Sequence, residues 1–155
     1  MTTSYSKTSA YNRLVERLKY IADIKACGSV AEWDAETLMP AAGGEFRARQ
    51  LSIIGKLAHN ALVSRKTRSL IERAEAETSG CNSDTDQAHM VRLARYDYER
   101  AIKLPARFVA EVARATSLAP PAWGQAREEN NFSLVRPHLQ ILVDLMRRKA
   151  DYHGF

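Results

Sequence analysis

The chain has 155 residues, 45% apolar and 26% charged, the balance of an ordinary globular protein with a sizeable core. Its 23 basic and 18 acidic residues give a net charge of +5, but the basic residues are dispersed, and no apolar run approaches the roughly 20 residues that cross a bilayer. Two cysteines, Cys27 and Cys81, are too few for a disulfide framework, and the polar start at residues 1–7 lacks a secretory pattern, so the expected setting is reducing and cytoplasmic, without membrane or nucleic acid.

Tyr11, Leu14, Val15, Leu18, Ile21 and Ala22 recur at three- and four-residue intervals, which predicts a helix ending near Gly28. Ser29 followed by Glu32 is a capping-box pattern, so a second helix is expected there, carrying Trp33 inward and stopping at Met39-Pro40. Gly43-Gly44 completes the turn. A third helix follows from Glu45, with Gln50, Leu51, Ile54, Leu57, Ala58 and Ala61 on its stripe. Ser64 can cap a fourth, with Leu70, Ile71 and Ala74 inward.

Residues 78–84 form the clearest loop, after which Ser83 with Asp86 reopens a helix lined by Val91, Ala94, Tyr98, Ala101 and Ile102. Leu104-Pro105 breaks that helix, and Pro105 suits the first turn of the next. There Phe108, Val109, Val112 and Ala113 face inward, until Pro120-Pro121 is expected to interrupt the helix. A short piece with Trp123 and Ala126 resumes, and Asn130-Asn131 and Pro137 mark another junction. The last helix presents Leu139, Leu142, Val143, Met146 and Ala150. No segment alternates with period two. The expected fold is all-α, an antiparallel bundle of about six to seven helices without sheet, residues 1–155 forming a single helical domain.

A helical zinc hydrolase needs two histidines one turn apart, usually with a glutamate between them. His59, His89, His138 and His153 include no such pair, and His138 and His153 are too far apart to share one ligand face. Asp86-x-x-His89 is a single acid–histidine pair where a di-iron bundle needs two, and its plainer reading is a helix-start acid beside an exposed histidine. There is no nucleophile elbow, and Gly43-Gly44 lacks the lysine and hydroxyl of a phosphate loop. Arg95, Tyr96 and Tyr98 could stack single-stranded nucleic acid, but Tyr98 in the core with Tyr96 at its edge is the simpler arrangement. The clusters Arg65-Lys66-Thr67-Arg68 and Arg147-Arg148-Lys149 read as solvated helix faces.

One stretch is more specific: residues 32–40, Glu-Trp-Asp-Ala-Glu-Thr-Leu-Met-Pro, then Gly43-Gly44-Glu45 with Arg47, Arg49 and Gln50. It resembles the amino-terminal motif of the carboxypeptidase Taq family of metallocarboxypeptidases. The likeness continues in order through Leu57-Ala58-His59, residues 95–101, Leu104-Pro105, residues 123–127, Asn131-Phe132 and Pro137-His138-Leu139. Pro120-Pro121 is a departure, since the resemblance there implies a more continuous helix. The resemblance implies a helical enzyme that removes carboxyl-terminal residues from peptides, uses zinc or cobalt, and commonly forms homodimers. It implies a His-Glu-x-x-His metal site with a downstream glutamate, and no residue here matches those elements.

The expected role is therefore the amino-terminal helical region of such a protein, without a catalytic or metal residue of its own and inactive alone. Its partner would be the missing catalytic region or a second copy. The alternative is a free-standing helical interaction module. Trp33, Asp34, Thr37, Met39, Pro40, Arg47, Arg49 and Gln50 are the family-motif residues, expected to be structural. Trp33 should be mostly buried, and Asp34 should pair with Arg47 or Arg49 across the turn or cap nearby backbone. The functional alternative is that Asp34 or Arg49 faces a substrate groove.

Overall fold

The computed structural model describes residues 9–79 and 84–155. Among them the chain forms six α-helices and no strand: α1 Ala10–Thr37, α2 Gly44–Leu62, α3 Arg65–Thr78, α4 Asp86–Ala101, α5 Ala106–Glu128 and α6 Phe132–His153. Consecutive helices pack as three pairs, α1 with α2, α3 with α4 and α5 with α6. The pairs are joined through α1 against α3 and α2 against α5. The principal contacts thus run in series, α4, α3, α1, α2, α5, α6. A series of this kind leaves long helix flanks uncovered.

Four of the six helices start on a side-chain cap. Ser9, Ser64 and Thr85 accept from the backbone N–H three residues on, and Asn131 from that of Ser133. Ser83 lies outside the described residues, as does most of the expected 78–84 loop, and the cap of α4 is Thr85. The short turn at residues 102–105 separates α4 from α5.

Two predicted breaks do not exist. Gly28 is buried inside a continuous α1 because that helix crosses α2 closely: a Cβ at Gly28 would stand 3.3 Å from Ile54 Cγ2. The glycine serves a close approach rather than a stop, and Ser29 bonds back to the Lys25 carbonyl instead of capping. Pro120 and Pro121 lie inside α5, on its exposed side. The helix survives because Phe108 before the prolines and Ala126 after them are both buried, and this packing outweighs the lost backbone bonds. Pro137 likewise sits within α6 instead of at a junction.

The core has two centres. Leu14, Ile71, Ala74, Val91, Ala94 and Tyr98 join α1, α3 and α4. Phe108 and Ala126 on α5 and Val135 and Leu145 on α6 are also buried, and the Phe108 ring meets Tyr152 of α6. Thr67, in a cluster expected to be solvated, is fully buried beneath α1. Ion pairs tie neighbouring helices: Arg95 to Glu75, Arg114 to Glu45, and Arg148 to Glu111 at 2.8 Å.

The inner face of α6 is rotated from the expected one. Val135 and Leu145 are buried, whereas Leu139, Val143 and Met146 are exposed, and among the described residues α5 is the only extensive neighbour. Leu57 on α2 and Ile102 after α4 also point outward.

Candidate functional site around the α1–α2 turn

The motif residues meet where α1 ends and α2 begins. The Asp34 carbonyl accepts from the N–H groups of Leu38 and Met39, closing the last turn, while the Thr37 hydroxyl bonds the Trp33 carbonyl at 2.7 Å. Pro40 then turns the chain, and its carbonyl accepts from Gly43 N–H at 2.8 Å. A Cβ on Gly43 would lie 3.0 Å from Met39 Cγ, so the turn packs the methionine closely against the glycine.

This reversal carries Arg47 back beside α1. Its Nη2 donates to Asp34 Oδ2 at 2.5 Å and its Nη1 to the Ala31 carbonyl at 2.6 Å. The pair is largely shielded, with Arg47 19% and Asp34 35% exposed, and buried Arg47 Nε has no acceptor. Arg49 does not join it and lies over the Phe46 ring, 4.9 Å from the centroid. Trp33 is 60% exposed, contrary to the expectation of burial, and among the described residues α1 packs extensively only on α2 and α3.

Two open hollows flank the motif. One, of about 670 Å³, is lined by Cys27, Trp33, Asp34, Arg47 and Gln50 with Ile53 at its edge. The other, of about 600 Å³, lies between the end of α1, the start of α2 and α5, and includes Glu32, Glu36, Met39, Pro120 and Trp123. Asp34 therefore both holds Arg47 and lines a hollow, while Arg49 lines neither of the two.

The metal implied by the resemblance does not fit these side chains. Among the described residues no three His, Cys, Asp or Glu groups stand together. The histidines are dispersed over α2, α4 and α6. His89 bonds Asp84 at 3.2 Å and Arg92 at 2.9 Å. Cys81 lies outside the described residues; Cys27 is a free, exposed thiol. No helix is long and apolar enough to cross a membrane, among the described residues.

A polar centre unmarked by any motif lies at the α2–α3 turn. Arg17 reaches from α1 to donate to Thr67 Oγ1, the Ala61 carbonyl and Ser64 Oγ. The sequence signal was an arginine between Leu14, Leu18 and Ile21, on the edge of an apolar stripe.

His59, part of the Leu57-Ala58-His59 likeness, is buried on α2. Burial pushes its imidazole below the ordinary 6.5, opposed by a hydrogen bond to the Leu104 backbone. The folded state thus favours the neutral ring, so its stabilising contribution is full above the unfolded value and lost as pH falls through the folded one. Thermal unfolding of the parent should weaken more between about pH 7 and pH 5 than that of His59→Gln. Equal pH slopes would contradict this.

Comparison with known proteins resolves what the geometry alone leaves open. The profile of the carboxypeptidase Taq (M32) metallopeptidases matches residues 13–154. The chain belongs to this family. It is 32% identical over 143 residues to thermostable carboxypeptidase 1 of Thermus thermophilus, covering 92% of this chain and 28% of that protein. Its fold is similar to the crystal structure of BsuCP, with TM-score 0.87 and 26% identity over 94% of this chain and 29% of the other. It is also similar to the M32 carboxypeptidase from Deinococcus radiodurans R1, with TM-score 0.63 and 32% identity over 93% and 28% of the two chains. The chain spans less than a third of the length of the curated relatives it matches.

Proposed function

We propose that this M32 chain is the amino-terminal helical region of a metal-dependent carboxypeptidase-like protein, contributing framework and no metal ligand. The observation that carries this reading is the unequal coverage, 92% of this chain against 28% of the Thermus thermophilus enzyme. The lack of a three-donor group among the described residues agrees with it. In the complete protein the activity would be release of carboxyl-terminal residues from peptides. The zinc or cobalt of that reaction, a Lewis acid and activator of water, would be held by residues outside this chain.

The uncovered side chains support the same reading. Val30, Trp33 and Ile53 are exposed on the α1–α2 side, and Leu139, Val143 and Met146 on α6. Apolar surface gathered on helix flanks is normally covered by another layer. The occupant would be the catalytic region or a second copy of the chain.

Equilibrium dialysis tests the framework role. The isolated chain should take up no stoichiometric zinc or cobalt at micromolar free metal. One tightly held equivalent, released by mutating His138 or His153, would place a metal site in this region and overturn the proposal.

A further inference from the structure

Arg17 is a half-buried cation whose Nε and Nη2 donate to neutral acceptors. Its Nε bonds Thr67 Oγ1 at 3.0 Å, and its Nη2 bonds the Ala61 carbonyl at 2.8 Å and Ser64 Oγ at 3.3 Å. Among the described residues no carboxylate pairs with it, and residues 1–8 and 80–83 contain no acid. Charged groups withdrawn from water are ordinarily matched by an opposite charge. Here that match is missing.

The same guanidinium lines a cleft of about 590 Å³ between α1 and the start of α3. Arg13 and Lys66, which have no ion-pair partner among the described residues, line it as well. Glu16 is the only carboxylate in the lining, and Lys19 holds it at 2.8 Å. Tyr20 and Leu70 add an apolar wall, with the Arg17 guanidinium 5.2 Å from the centre of the Tyr20 ring. The cleft has the size of a small-molecule site, and its polar groups are cationic donors.

We propose that this cleft binds a small oxyanion, a phosphate or carboxylate carried on a compact apolar body. Arg17 supplies a fixed guanidinium, since its other nitrogens are committed to the α2–α3 turn, and Arg13 and Lys66 add mobile charge. The planar guanidinium of Arg13 suits the paired oxygens of either group. The apolar body rests on Tyr20 and Leu70. The cleft shares no lining residue with the Trp33–Gln50 motif.

The test is titration of the folded chain with inorganic phosphate, phenyl phosphate and benzoate at constant ionic strength, read by amide and Arg17 Nε–H resonances. Saturable shifts confined to the α1–α3 cleft are expected, with the strongest probe identifying the preferred oxyanion. The exposed double substitution Arg13→Gln with Lys66→Gln should raise the Kd at least tenfold while leaving the rest of the spectrum unchanged. Non-saturating shifts matched by chloride for all three probes would overturn the proposal. So would saturable binding that the double substitution leaves unaltered.

Discussion

Phe108→Ala is expected to destabilise the chain by about 4 kcal/mol, lowering the unfolding midpoint by roughly 10 °C. Phe108 is 1% exposed and is the largest fully buried side chain of the α5–α6 centre. Its ring meets Tyr152 edge-on, with centroids 5.1 Å apart, and Arg148 lies over it at 5.2 Å. Arg148 is in turn fixed by Glu111 on α5. Truncation removes the ring from all of these neighbours at once, and α6 has no other extensive partner to hold it while the cavity forms. Phe108→Leu should recover more than half of the loss, because it restores most of the volume. Chemical denaturation of both variants checks the ordering. A loss for the alanine variant below about 1 kcal/mol would mean that α6 is not anchored through this ring.

Asp34→Ala is expected to cost about 2 kcal/mol, less than a fully buried pair because the carboxylate is partly solvated. The cause is the arginine left behind. Arg47 is largely shielded and its Nε already lacks an acceptor, so losing Asp34 strands most of its charge between α1 and α2. Arg47→Ala removes the charge with its bonds, and Arg49→Ala should change stability by less than about 0.5 kcal/mol, since Arg49 is exposed over Phe46. A double-mutant cycle on Asp34 and Arg47 should show coupling above about 1 kcal/mol, and the Asp34–Arg49 cycle none. Additivity in both cycles would remove the pair as the brace of the turn and leave Asp34 as a wall of the adjoining hollow.

The motif made this turn legible in the sequence because each residue has a local duty. Pro40 limits the backbone before it, Gly43 admits Met39, and a carboxylate before the reversal meets an arginine after it. Which arginine could not be read, because Arg47 and Arg49 differ by about 200° around a helix and only packing chooses between them. Periodicity revealed the helices for the same local reason. It did not reveal which stripe has a neighbour: Leu139, Val143 and Met146 look like a core face, yet α5 covers Val135 and Leu145. Gly28 and Pro120-Pro121 misled in a related way. Their local preference to end a helix is real, but tertiary contacts on both sides carry α1 and α5 through. Arg17 left no motif, and His59 stood in one without showing its partner, since their contacts come from residues 44 or more positions away. Trp33 shows how far the fold of these residues depends on what covers them: its side chain has the size of a core residue and the exposure of an interface one.

A peptidase assay of the isolated, folded chain with added zinc or cobalt, on peptides with free carboxyl ends, tests whether these helices hydrolyse peptides by themselves. The account predicts no release of carboxyl-terminal residues above the metal-only control, because the described residues hold no three-donor group to bind and activate the ion. Metal-dependent, stepwise release of those residues that copurifies with the chain and is abolished by a chelator would contradict it.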